Sequence, residues 1–170
     1  MNKTLLVNTL ALAAAFTVAG VAQADTLKKM KDSGAVTMGV RESSGALSYT
    51  LGDGKYAGFH VEVCAKVLAD VQKSLGLAKL DVKYQPVTSQ NRIPLVQNGT
   101  VDLECGSTTN NATRQKDVSF AVTTYVEEVR IAVKANSGIT SIAQLNGKNV
   151  ATTTGTTSVQ LLRKHARAAG

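Results

Sequence analysis

Apolar residues recur along this chain at two spacings, and together they lay out alternating helices and strands. From Val61 to Leu75 the apolar positions Val61, Ala65, Leu68, Val71 and Leu75 step by three and four, which predicts an amphipathic helix closed by Gly76. Leu27 to Asp32 reads as a shorter amphipathic helix ended by Ser33-Gly34. Ala35 to Val40 predicts a strand, and Leu80 to Pro86 alternates apolar and polar as a second should. Gly52-Asp53-Gly54 marks a hairpin tip between Tyr49-Thr-Leu and Lys55-Tyr56. Ser89 predicts the N-cap of a helix from Gln90 to Gln97, with Pro94 still in its first turn and Asn98-Gly99 ending it. Further strands are expected at Val101 to Glu104, Val129 to Val133 and Val150 to Thr153. Thr113 should cap a short turn through Lys116, and Ile142 to Leu145 should form a short helix before Gly147. Gly155-Thr-Thr-Ser then opens a helix from Val159 to Ala168.

Strands alternating with helices indicate an α/β protein with a parallel sheet. In such sheets the ligand crevice lies outside the carboxyl ends of the strands. The loops at Arg41, Ser89, Ser107 and Gly155 each follow a predicted strand, so they should gather on one edge.

The N-terminus bears on the compartment. Lys3 precedes an uncharged, mostly apolar run from Leu5 to Val21, and Ala22-Gln23-Ala24 offers a small-x-small cleavage site. At about 17 residues that run is at the short limit for a membrane span. Residues 1–24 therefore read as a cleaved signal peptide, with Asp25 starting an exported, periplasmic chain. Residues 25–170 are enough for a real core. The net charge of +7 does not make this a nucleic-acid protein, because the lysines are scattered and no aromatic residues interleave with them. Two cysteines, Cys64 and Cys105, fall in a predicted helix and at a strand end. A mutual disulfide, a buried free thiol at Cys64, and a partner for Cys105 beyond this chain are all open.

The chemistry is concentrated in Ser89-Gln-Asn-Arg92 and Cys105-Gly-Ser-Thr-Thr-Asn-Asn-Ala-Thr-Arg114. These segments put arginines and hydroxyls at strand ends. Guanidinium grips a carboxylate through two parallel hydrogen bonds, and hydroxyls or backbone N–H groups satisfy the remaining lone pairs. Thr157, opening the last helix, adds an N-terminus suited to an anion. The set suits a small organic acid and contains no nucleophile–base pair. Plainer readings exist: Arg41 could pair with Glu42, Arg92 could lie on a solvated face, and Ser107 to Asn111 could be only a polar turn. Gly155-Thr156-Thr157 lacks the lysine and spacing of a P-loop.

Gly58-Phe-His-Val-Glu-Val-Cys-Ala-Lys-Val-Leu resembles the signature of family 3 solute-binding proteins, the periplasmic amino-acid receptors of ABC transporters. Arg41-Glu-Ser-Ser, Thr88-Ser-Gln-Asn-Arg-Ile-Pro-Leu, Gln97-Asn-Gly-Thr, Glu104-Cys-Gly-Ser-Thr-Thr-Asn-Asn and Gly155-Thr-Thr-Ser narrow the likeness to the glutamate/aspartate-binding branch. His60 departs from the pattern, where the broad family usually has an aspartate that would cap the helix. The resemblance implies a type II periplasmic-binding-protein clamshell that closes by hinge motion. Lobe one, residues 25–125, would be largely present, and lobe two, residues 126–170, incomplete, so the chain reads as a truncated product. It also implies no cofactor, a monomer, and the permease subunits of an ABC transporter as partners.

Carried over by residue, the likeness makes Arg114 the clamp on the ligand α-carboxylate, helped by Thr109. Thr157 would add a donor to that carboxylate from the second lobe, and Ser107 would accept from the α-ammonium. Arg41 and Arg92, with Ser89, would read the side-chain carboxylate. An acidic partner for the ammonium is expected beyond Gly170. A dehydratase of the same fold, acting on prephenate- or arogenate-type dicarboxylates, is the rival reading, with Glu104 or Glu128 as a general acid lacking an evident partner. The His60/Cys64 pair at i, i+4 supplies only two metal ligands.

Overall fold

The computed structural model describes residues 25–168, so the expected signal peptide at 1–24 lies outside the described residues. Asp25 caps the first helix, α1 (Thr26–Ser33), by accepting from the Lys28 amide at 3.0 Å, and Gly34 ends it in the left-handed region. The chain passes into β1 (Ala35–Val40), then through a hairpin of β2 (Tyr49–Gly52) and β3 (Lys55–Ala57). Asp53 and Gly54 turn that hairpin with positive φ, the geometry that the right-handed twist of a two-residue turn requires. Next come α2 (Phe59–Ser74), β4 (Asp81–Pro86), α3 (Arg92–Gln97) and β5 (Leu103–Glu104). The last helix is α4 (Thr157–Ala168).

The main sheet is parallel with β1 in the middle, in the order β4-β1-β5. Its core joins Val36, Met38 and Val40 of β1 to Met30, Leu80 and Cys105, and to Val61 and Leu68 of α2. The apolar stripe of α2 runs through Val61, Cys64, Leu68, Val71 and Leu75. Ala65, expected on that stripe, is exposed instead. The reason is that Cys64 is drawn onto the sheet by a disulfide to Cys105, with Cα atoms 6.4 Å apart. This settles the question left open for the cysteines, and it removes Cys64 as a metal ligand.

Three local expectations are corrected. The third helix starts at Arg92 rather than Gln90, and Ser89 does not cap it. Asn91 accepts from the Thr88 amide at 2.7 Å while the Asn91 amide donates to the Thr88 hydroxyl at 3.2 Å, which tightens residues 88–91 into a turn. The strand expected from Val101 contracts to Leu103–Glu104, because the Asp102 side chain takes over the Thr37 amide at 2.8 Å and also holds Lys29 at 2.7 Å. Residues 129–133 and 150–153 carry no sheet ladder among the described residues. A strand needs a neighbour for its N–H and C=O groups. Exposed Val129, Ile131 and Val133 instead line, with Leu161, a mainly apolar trough of about 610 Å³.

His60 lies in the first turn of α2, whose N-cap Gly58 makes no side-chain cap. Its ring bonds to the Gly106 carbonyl through Nδ1 and to the Thr124 hydroxyl, at 2.8 Å, through Nε2. It therefore ties α2 to the loop after β5 and to the segment at Thr124, where a carboxylate would have capped the helix.

Candidate anion-binding site

The carboxyl ends of β1, β4 and β5 each deliver one loop to the same edge. Arg41 follows β1 directly, and its backbone amide donates to buried Ser48 at 2.9 Å. Its guanidinium donates to the Ser44 hydroxyl at 3.1 Å, the Val87 carbonyl at 2.9 Å and the Ser89 hydroxyl at 3.0 Å. Ser89 is thus an acceptor for Arg41, and it sits within the 88–91 turn, ahead of Asn91 at the N-cap position of α3. Ser44 also meets Ser107 at 2.8 Å, so the loops after β1 and β5 are stitched together.

Arg92 differs from Arg41. It is only 3% exposed, yet Nε and Nη1 are buried without a hydrogen-bond partner among the described residues. Burial, together with the charges of Arg114 and Arg41, pulls its pKa down to about 10, with Glu104 opposing. It still carries its charge at neutral pH. Unmet donors of a buried cation cost folding free energy, and they leave hydrogen-bonding capacity that an anion could take up.

Arg114 is buried at the start of a 3₁₀ turn, Arg114–Lys116. Asn111, not Thr113, supplies the side-chain cap here, accepting from the Arg114 amide at 3.0 Å. The guanidinium donates to the Thr109 carbonyl at 2.9 Å and to the Gly155 carbonyl at 3.0 Å. Burial lowers its pKa below the usual guanidinium value. The Gly155 contact brings Thr157, the first residue of α4, to the same edge. The structure therefore ties the loops of Arg41, Ser89, Ser107, Thr109 and Arg114 together by hydrogen bonds, while Arg92 and Thr157 open the helices α3 and α4 that follow two of these connected segments.

Glu104 was singled out in the sequence only as an acid without a partner. It ends β5 with Oε1 buried and unpartnered, and burial pushes its pKa up. Nothing local marks it, since its surroundings come from α2, α3 and the end of β1. Glu128, the other candidate acid, is exposed and pairs with Arg130. The 610 Å³ trough shares no residue with the arginine cluster and is lined mainly by apolar side chains. No group of three metal-ligating side chains occurs among the described residues.

Gly155 has φ +81, and a Cβ there would meet the Ser89 carbonyl oxygen at 2.5 Å and Gln90 Cα at 2.7 Å. Both are backbone atoms that cannot swing aside. Gly155→Ala is expected to part these two loops, break the Arg114–Gly155 bond and cost about 1–3 kcal/mol. Hydrogen exchange should quicken at the Thr88 and Asn91 amides and stay unchanged in β1. Unchanged protection at Thr88 and Asn91 would contradict the contact.

A parallel-sheet edge that gathers buried guanidinium groups, hydroxyls and a helix N-terminus has the chemistry to hold a small organic anion. The chain belongs to the bacterial extracellular solute-binding proteins, family 3, whose family model matches residues 36–168. It is 51% identical over 140 residues to an L-glutamate/L-aspartate-binding protein of Pseudomonas aeruginosa, covering 81% of this chain and 46% of that protein. It is 44% identical over 154 residues to a glutamate/aspartate import solute-binding protein of Escherichia coli, covering 86% of this chain and 51% of that protein. The chain spans about half the length of these curated relatives. Among solved structures it is similar to an ancestral arginine-binding protein bound to arginine, with TM-score 0.61 at 27% identity over 81% of this chain and 58% of that one. The same holds for an ancestral arginine-binding protein bound to glutamine, with TM-score 0.62 at 25% identity over 80% and 58%. These neighbours establish the type II binding-protein fold.

Proposed function

We propose that this chain is the ligand-capturing part of a periplasmic receptor for L-glutamate and L-aspartate, delivering them to the permease of an ABC importer. The observation that carries the reading is Arg92: a buried, charged guanidinium with two unmet donor atoms calls for a carboxylate. Arg41 stands beside it, held by Ser89, and its two Nη groups keep a second hydrogen each for the same ligand carboxylate. Arg114, oriented by the Thr109 carbonyl, takes the α-carboxylate, with Thr157 contributing from the start of α4. Ser107 accepts from the α-ammonium. The relatives in Pseudomonas aeruginosa and Escherichia coli, named for binding or import of glutamate and aspartate, support this ligand class. They support capture over the rival dehydratase reading, for which exposed, ion-paired Glu128 is unsuited as a buried acid.

The test is calorimetric titration of the chain from Asp25 with L-glutamate and, separately, L-glutamine. The amide cannot satisfy the Arg92 donors as an anion does, so glutamine should bind weaker by about 2–5 kcal/mol, or about thirtyfold to several thousandfold. Equal heats from both ligands would remove Arg41 and Arg92 from side-chain recognition. Turnover of prephenate would favour the dehydratase.

A further inference from the structure

The site holds one acid that the proposed ligand scheme does not use. Glu104 ends β5, and the chain then turns through Cys105, pinned by its disulfide, into Gly106. A Cβ on Gly106 would collide with both Glu104 Oε1 and the Arg41 side chain, so acid and guanidinium stem converge over that glycine. Oε1 is buried with no hydrogen-bond partner among the described residues. The charged and titratable groups around it are Arg92 from α3, Arg41 from the end of β1, His60 from α2 and, more remotely, Arg114. Thr108 leans toward the carboxylate, but its hydroxyl stops short of hydrogen-bond geometry and is itself unpartnered. Glu104 therefore lies in the electrostatic field of Arg92 and Arg41 without forming an ion pair with either.

A dicarboxylate amino acid brings a second carboxylate to the same guanidinium groups. Two carboxylates facing one buried cation cannot both keep full charge as readily as one, and the less solvated of the two gains a proton. We propose that Glu104 is a proton-binding site coupled to the ligand: ionised in the field of Arg92 and Arg41 when no ligand is bound, protonated when a ligand carboxylate enters the same field. The proton comes from solvent, so one Glu104 carboxylate becomes a carboxylic acid and the arriving carboxylate keeps its charge for the arginines. Burial already holds Glu104 above the ordinary carboxylate range, which puts it closer to protonation before the ligand arrives.

The sign follows from linkage. A site that takes up a proton with its ligand binds more tightly as pH falls, and affinity declines as pH rises from the ligand-free pKa of Glu104 toward its ligand-bound value. This inference rests on the glutamate/aspartate reading above. Its test is calorimetry of L-glutamate binding to the chain from Asp25 in buffers of different ionisation enthalpy, at several pH values between about 5 and 8. The expected result is net uptake of up to one proton, with log affinity falling with pH at a slope approaching −1 where uptake is largest. Glu104→Gln, which resembles the protonated acid, should bind glutamate at least as tightly at high pH and show no uptake. His60→Gln should keep it. Carbon-13 NMR of the Glu104 carboxyl in the unaltered chain reads the same event without a substitution. Binding with no uptake at any pH, or identical uptake in Glu104→Gln, overturns the inference and leaves the function standing. No glutamate binding by the folded chain overturns both.

Discussion

Replacing Arg92 with methionine should abolish most L-glutamate binding at little cost to the fold, because buried Glu104 still has Arg41 nearby and can take up a proton. Methionine keeps much of the length and removes the charge. In the empty protein that charge is buried with Nε and Nη1 unsatisfied, a standing cost to folding. On the proposed reading the same atoms meet the ligand carboxylate, where losing one partner costs about 2–5 kcal/mol, or about thirtyfold to several thousandfold in affinity. Affinity and stability should thus move apart in Arg92→Met, the mark of a residue held for function. Arg41→Met is the contrasting case. Its guanidinium already satisfies Ser44, Val87 and Ser89, so truncation should lower stability as well as affinity. Melting curves beside titrations distinguish the two. An Arg92→Met protein that melts well below the parent would show that Arg92 is a structural cation.

The Cys64–Cys105 bridge should carry the largest single share of stability. It spans 41 residues and joins the middle of α2 to the residue after β5. Closing a loop of that size in the unfolded chain is worth about 4 kcal/mol by chain entropy. A double Cys64→Ala, Cys105→Ala chain should show a urea midpoint lower by a corresponding amount, and dithiothreitol should reproduce the shift in the parent. The consequence reaches the site, because Cys105 donates its amide to Gly39 and is followed at once by Gly106 and Ser107. Loosening it should weaken glutamate binding beyond the global loss. A midpoint displaced by less than about 1 kcal/mol would mean the unfolded chain is already compact around this loop.

Much of this architecture is legible in local pattern. The three- and four-residue steps between Val61 and Leu75 specify α2, and Gly52-Asp53-Gly54 specifies a hairpin whose turn residues have positive φ. Alternating strands and helices specify a parallel sheet, and with it the edge on which Arg41, Ser89, Ser107 and Gly155 meet. These features depend on neighbours a few residues apart, where periodicity and turn chemistry act directly. Resemblance to the family added what each site residue would contact.

Other features were decided only by the tertiary structure. Ser89 looks like a cap until Arg41, 48 residues away, claims its hydroxyl. Asp102 looks like part of a strand until it takes the Thr37 amide and Lys29. Residues 129–133 have a strand's alternation but no ladder among the described residues, because a ladder is a property of two segments. Glu104 is an unremarked acid until α2, α3 and the end of β1 surround it with His60, Arg92 and Arg41. The chain by itself determined which loops would follow the carboxyl ends of the strands. The folded structure decided which of their hydrogen-bonding atoms are already used and which remain for a ligand, because that allocation depends on contacts between distant segments and on the exclusion of water from between them.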